Sequence, residues 1–264
     1  MACFSLRKLN IALSVLCLML VLMSNSTMAN ENKHTSNVDE TAAANECVIV
    51  LHGLARTAFS MRKIENALKP NYKVINNTYP SRKKSIEELA EIAIAPAVQE
   101  CESNTKIHFV THSLGGILVR QYLSQHAVKN LGNVVMLGPP NNGSEIVDKF
   151  KSSEISKWFF TKVNGPAGEQ LGTGNENVPA ALGAVNFNLG VIAGNVSYSP
   201  VFSKAIDGED DGKVSVESSK IAGMKDHIVL PVSHTFMMDN AEVIEQVRAF
   251  LKSGVFSRLE RDRS

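Results

Sequence analysis

The run Ile107-His108-Phe109-Val110-Thr111-His112-Ser113-Leu114-Gly115-Gly116 is apolar and β-branched up to a serine. It then continues into Ile117, Leu118, Val119 and Tyr122 at helical spacing. A serine between a strand and a helix sits on a sharp, strained turn, and the residues two before and two after it must be small because strand and helix pass close together there. Gly115 meets that demand. Thr111, small but β-branched, stands where the usual G-x-S-x-G pattern has its first glycine. A hydroxyl so placed attacks a carbonyl carbon once a base takes its proton and a carboxylate orients the base. His234, in Val232-Ser233-His234-Thr235 just after a strand-like run, is the expected base. The stretch Asp207-Gly208-Glu209-Asp210-Asp211-Gly212-Lys213-Val214 offers the carboxylate; Asp207, Asp210 and Asp211 are all open by residue type, since acids also cap turns locally. Acyl transfer further needs backbone N–H groups aimed at the developing oxyanion, and Leu54, after Val50-Leu51-His52-Gly53, and Leu114, after Ser113, are the expected donors.

Other residues of chemical interest take plainer readings. His108 and His112 have the spacing of a metal-binding helix pair, but Phe109, Val110 and Thr111 between them indicate a strand and no glutamate follows His108, so no metal site is expected. His52 reads as a structural member of its turn. With 27 Lys and Arg against 26 Asp and Glu, and no basic stripe, nucleic acid is not an expected partner.

These residues need elements to hold them. Cys47–Leu51, Tyr72–Ile75, Lys106–Val110, Asn133–Leu137, Leu189–Ala193 and His227–Leu230 read as short buried strands, with helical patterns between them. Ser85-Ile86-Glu87-Glu88 is a capping box opening one such helix, and Pro96 is expected to kink or end it. Alternating strands and helices, without repeats or a long linker, imply an α/β fold whose mostly parallel sheet is covered on both faces. The domain is expected over 46–253, interrupted by a glycine-, asparagine- and proline-containing insertion at about 141–186. There Trp158, Phe159 and Phe160 are either the apolar face of a surface helix or a lid over an apolar substrate. Residues 254–264 read as a charged, frayed tail. At the other end, Arg7 and Lys8 precede the apolar run Ile11 to Met23 and the small-residue exit Thr27-Met28-Ala29, the pattern of a cleaved signal peptide over 1–29 followed by a polar leader over 30–45. The run is shorter than the ~20 residues of a spanning helix. Its removal leaves Cys47 and Cys101, an even pair, for a periplasmic or secreted location.

From Cys47 to Leu251 the chain resembles a lipase or esterase of the α/β-hydrolase superfamily, in its bacterial secreted or periplasmic branch. The resemblance rests on Leu51-His52-Gly53-Leu54, on Thr111-His112-Ser113-Leu114-Gly115-Gly116, and on Leu137-Gly138-Pro139-Pro140-Asn141-Asn142-Gly143-Ser144. It rests equally on Asp211-Gly212-Lys213-Val214 and on His234. The order serine, aspartate, histidine along the chain is the superfamily's. Thr111 and Pro139 depart from its patterns, the latter replacing a threonine in a G-T-P-x-x-G-S-like turn. The resemblance implies ester hydrolysis without a cofactor, on an ester or lipid substrate, with transient contact to a lipid surface. It assigns Ser113 as nucleophile, His234 as base and Asp211, by its D-G-x-V run, as the acid. In the implied sheet the strands begun or preceded by Cys47 and Cys101 are parallel neighbours, so a disulfide at the end opposite the site is expected. An acyltransferase using the same three residues, and a catalytically silent binding protein of the same fold, are the alternatives.

Overall fold

The structure is a computed structural model that describes residues 46–101, 105–151 and 154–258. The expected signal peptide, 1–29, and leader, 30–45, lie outside the described residues, as do the last six residues of the tail.

Each of the branched apolar runs forms a strand: β1 Cys47–Leu51, β2 Lys73–Ile75, β3 Ile107–His112, β4 Leu131–Leu137, β5 Leu189–Gly194 and β6 Asp226–Leu230. They make one sheet in the order β2-β1-β3-β4-β5-β6, every pair parallel. Nearly continuous burial of β1, β3 and β5 explains why these runs do not alternate with polar residues. The helices are α1 Arg62–Leu68, α2 Ile86–Glu100, α3 Leu114–Gln125, α4 Glu145–Lys151, α5 Glu154–Glu169, α6 Val178–Ala181, α7 Pro200–Ser203, α8 Val216–Ser219 and α9 Ala241–Ser253. Successive strand residues point to opposite faces. Ile49, Leu51, Phe109, Val134 and Met136 pack on one face with Ile86, Leu89 and Ile94 of α2 and Ile117 and Leu118 of α3. Val48, Val50, Val110, Val135, Leu137 and Ile192 pack on the other with Ile64 and Leu68 of α1 and Val243, Val247, Phe250 and Leu251 of α9.

From β1 the chain runs out to the edge at β2 and returns beside β1 as β3, so the direction of winding changes between β1 and β3. In open parallel sheets the crevice beyond the strand ends at such a switch is where ligands bind. At the opposite ends of these strands Cys47 and Cys101 form a disulfide with Cα atoms 5.9 Å apart, as expected of neighbouring parallel strands.

Two local expectations differ from what is found. Helix α2 begins with the reciprocal Ser85–Glu88 box, and of the two outcomes expected at Pro96 it does not end there but runs on to Glu100. The proline removes one i→i−4 bond, and the residue that would have accepted it, Ile92, lies on the exposed side of the helix at 44% exposure. The tail is also tied down further than its charge suggests. Gly254 caps α9 in the left-handed conformation, Phe256 is 3% exposed against Phe250, and the guanidinium of Arg258 holds Asp226. One buried aromatic outweighs the charged residues around it.

Candidate active site

Ser113 follows β3 directly and precedes α3, at φ 54° and ψ −121°, a conformation costly for a residue with a Cβ. Its N–H donates to the carbonyl of Leu137, so the end of β4 holds the turn. Close passage of α3 over β1 accounts for the small residue two positions on: a Cβ on Gly115 would stand 2.9 Å from the Leu51 carbonyl oxygen. Thr111, two positions before, is fully buried within the sheet, and its hydroxyl has no partner among the described residues.

His234 lies four residues past the end of β6. Its N–H donates to the Asp211 carbonyl, and its own carbonyl accepts from His112 Nε2 at 3.0 Å. Its Nδ1 is 2.7 Å from Asp211 Oδ2 and its Nε2 is 3.0 Å from Ser113 Oγ. Because a carboxylate accepts only, Nδ1 carries the proton, and Nε2 is left as acceptor for the serine hydroxyl. The second oxygen of Asp211 accepts from the backbone N–H groups of Lys213 and Val214, which fixes the carboxylate's orientation. The neighbouring acids are elsewhere: Asp210 Oδ1 accepts from Ser203 and from the Gly212 N–H, and Asp207 is exposed on its loop. Leu54, on the turn after β1, lines the cavity over Ser113, and Leu114, the residue after Ser113, opens the first turn of α3.

A cavity of about 290 Å³ opens over Ser113 and His234. Leu54, Val214 and Phe202 line it from the body of the fold, and Pro140, Ile146, Val147, Phe150, Phe160, Val163 and Leu171 from the segment between β4 and β5. Phe150 stacks on Phe160 at 5.4 Å and meets Phe202 edge-on at 6.3 Å, forming an apolar wall. Of the three aromatics singled out from the sequence, Phe160 belongs to this wall, at 8% exposure. Trp158 does not: it is 63% exposed, with Lys162 over its ring. The side chain of Phe159 lies outside the described residues. A helix carrying three adjacent aromatics turns them roughly 100° apart, so they cannot all face one cavity.

No protein-family model and no curated protein matches the sequence. Solved structures do match. Lipase BlEst2 of Bacillus licheniformis in its mature form superposes with a TM-score of 0.58 at 19% identity, covering 78% of this chain and 91% of that one. A metagenomic carboxyl esterase gives 0.54 at 18% identity, over 72% of this chain and 65% of its own. A structure described under LipS and LipT, metagenome-derived lipolytic enzymes, gives 0.54 at 14% identity, over 80% and 94%. The chain has the α/β-hydrolase fold.

Within this hydrolase fold, Gly138 has a positional role that the sequence motif does not explain by itself. It sits at φ 52° just past β4, and a Cβ there would come within 2.9 Å of Asp211 Oδ2 and 3.1 Å of His234 Nδ1. The Asp–His contact occupies the space that any other side chain would need. His112 is the other residue whose part emerges only in three dimensions. Donating Nε2–H to the His234 carbonyl leaves its Nδ1 unprotonated, and that atom has no partner among the described residues. Burial, followed by the nearby His234 and Arg56, holds its pKa well below 6.5, so the ring stays neutral beside Ser113. Gly53 belongs to this packing, since a Cβ on it would lie 2.8 Å from that nitrogen. His52 lies outside the cavity: its ring stacks on Tyr79 at 3.9 Å and accepts the Tyr79 N–H, while the Tyr79 hydroxyl donates to the His52 carbonyl. His108 pairs with Glu46 and accepts from the Asn133 N–H near the start of β3, remote from His112 along the strand.

Proposed function

We propose that the protein is a serine hydrolase of carboxylic esters, an esterase or lipase, working through Ser113, His234 and Asp211. The observation that carries the reading is the unbroken chain from Ser113 Oγ to His234 to Asp211 at the mouth of an apolar cavity. Likeness of fold to lipases and esterases supports it.

In this mechanism the serine oxygen attacks the ester carbonyl as its proton passes to His234 Nε2. The tetrahedral oxyanion is received by the N–H groups of Leu54 and Leu114, each contributing on the order of 3 kcal/mol to transition-state binding. Asp211 stabilises the imidazolium through Nδ1. The same proton is then delivered to the departing alcohol oxygen as the C–O bond breaks, leaving an acyl-serine. Water repeats the sequence, giving up a proton to Nε2 as it attacks, and Ser113 recovers its proton when the carboxylic acid leaves. The residues call for no cofactor. The apolar wall receives the acyl chain, so the substrate is an ester or a lipid, drawn from solution or from a lipid surface. A periplasmic or secreted location is part of the proposal and rests on the signal-peptide pattern of residues 1–29 in the sequence.

The test is labelling with a fluorophosphonate together with turnover of p-nitrophenyl esters of graded chain length. Rapid labelling that maps to Ser113, and ester turnover that vanishes in Ser113→Ala with the circular dichroism spectrum preserved, is the expected result. An unlabelled serine overturns the enzyme reading in favour of a silent binding protein. Ester products in place of acid, when an alcohol is added, assign an acyltransferase.

A further inference from the structure

The reading of Ser113, His234 and Asp211 as an ester-cleaving triad leaves two residues of the same cavity without employment: Arg56 and Lys213. Arg56 lies two residues beyond the oxyanion donor Leu54, and its Nη2 donates to the carbonyl of Thr235, the residue after His234, at 3.2 Å. Lys213 lies two residues beyond Asp211. Its main chain is fully engaged, the N–H on Asp211 Oδ1 and the carbonyl accepting from Ser144 Oγ, while its ammonium makes no hydrogen bond and neither cation has an ion-pair partner among the described residues. The two feel each other. Protein crowding first and the charge of Arg56 second hold the Lys213 ammonium below its ordinary pKa, opposed by Asp211.

Charge counting at the site gives the consequence. Asp211 contributes one negative charge, Arg56 and Lys213 two positive ones, and a neutral His234 none, so the resting site carries an excess of one positive charge. Attack on the ester creates an oxyanion and an imidazolium together, so the excess persists through the reaction. Arg56 is half-buried and Lys213 exposed at the rim of the cavity, so an anion that reached both would gain charge-assisted contacts there. Position narrows where the anion belongs. Arg56 is bonded to the residue after His234, and Lys213 grows from the loop that holds the Asp211 carboxylate. Both therefore flank the imidazole, which hands its proton to the leaving alcohol. The apolar wall from the insertion takes the acyl chain.

We infer that the protein prefers esters whose leaving alcohol bears an anionic group, a phosphate or a carboxylate, held by Arg56 and Lys213. This rests on the hydrolase reading above and goes beyond it by naming the charge of the substrate and the side of the ester that carries it.

The experiment compares matched pairs of soluble esters with the full chain at low ionic strength. In one pair, 4-butyryloxybenzoate is set against its uncharged methyl ester; in the other, 1-butyrylglycerol 3-phosphate is set against 1-butyrylglycerol. A charge-assisted contact of this kind corresponds to a preference in kcat/KM of about tenfold or more for the anionic member. The preference should shrink as salt is raised. It should also fall by about tenfold in Lys213→Met, which spares the main-chain bonds of that residue, and in Arg56→Met. A preference in the phosphate pair alone assigns a phosphate ester, in the carboxylate pair alone a carboxylate, and in both a general anion. A wild-type ratio at or below one in both pairs, or a ratio that neither variant changes, overturns the inference even if the neutral esters are cleaved. No turnover of any ester, with Ser113 unlabelled by fluorophosphonate, is a different outcome: it removes the hydrolase reading, and this inference falls with it.

Discussion

Around Ser113 the groups are placed by backbone. The serine is held at a left-handed φ by the Leu137 carbonyl, His234 by its N–H on the Asp211 carbonyl, and Gly53, Gly115 and Gly138 leave no space for a Cβ. Between β4 and β5 the chain is held differently, by side chains reaching across. Arg120, buried in α3, donates to the carbonyls of Asn141, Pro179 and Gly183, and Gln170 accepts the Ile86 N–H while donating to Glu87. Asp148 takes the N–H and hydroxyl of Thr173. Burial lowers the Arg120 pKa to about 10, yet the group remains a cation at neutral pH and is satisfied by carbonyls. A site that must keep atoms within half an ångström is built from strand ends, whereas a wall that must only exclude water and fit a chain can rest on side-chain fasteners. Substitutions near the strand ends should therefore cost turnover on every ester, and those in the insertion should cost according to acyl length.

The sharpest version of the contrast is the acid. Asp211→Asn should reduce kcat by about 10⁴ on short and long esters alike, because the imidazole loses both its tautomer and its counter-charge. Asp210→Asn and Asp207→Asn should leave most of the activity, and loss of turnover in either one with a fully active Asp211→Asn would transfer the role. Reduction of Cys47–Cys101 tests the other end of the same strands. Opening a bond between residues 54 apart should lower stability by about 3 to 5 kcal/mol in the chain-entropy model, read as a fall in Tm, with turnover of the still-folded enzyme nearly intact. A parallel loss of activity below the melting transition would show that the bond also shapes the site. Gly138→Ala should lower kcat by roughly 10²-fold through displacement of the Asp–His pair, with KM little changed. A variant with native kinetics would mean that β4 yields where the packing says it cannot.

In the insertion, Phe160→Ala should weaken kcat/KM on octanoate esters more than on acetate by about 1 to 3 kcal/mol, the contribution of apolar area a short chain cannot reach. Trp158→Ser, on the exposed side, should leave the chain-length profile of soluble esters unchanged; the reverse ranking of the two would relocate the acyl site. The smallest effect is on acid stability. Burial holds His52, His108 and His112 below the ordinary 6.5, so the unfolded chain takes up protons that the native protein refuses. Stability from this source is full above about pH 6.5 and is lost as pH falls below it, which Tm measured from about pH 7.5 to 5 would register as a decline. A level or rising Tm over that interval would contradict the placement of these rings.

Sheet and elbow were legible because local sequence dictates them. A strand covered on both faces must be apolar throughout, and a serine between such a run and a helix has few places to go. Asp211 was less so: three aspartates in five residues look alike until Lys213 and Val214 N–H groups hold the carboxylate of one of them. The walls of the cavity were hidden for a different reason. Phe202 lies far along the chain from Phe150 and Phe160, and pairing across such separations leaves no periodic trace. Trp158 drew notice by its type, while exposure is decided by which way the helix turns. Gly138 was visible as part of a motif, but the need for it depends on two side chains more than seventy residues downstream.

The ring closed by Cys47 and Cys101 encloses β1, α1, β2 and α2 and none of the three residues Ser113, Asp211 and His234. A chain exported N-terminus first brings both sulfurs into an oxidising compartment ahead of Ser113. The first strand pair and its two helices can thus be covalently closed early, and the remainder of the sheet then grows by adding β3 and its successors to a template that no longer has the freedom to come apart.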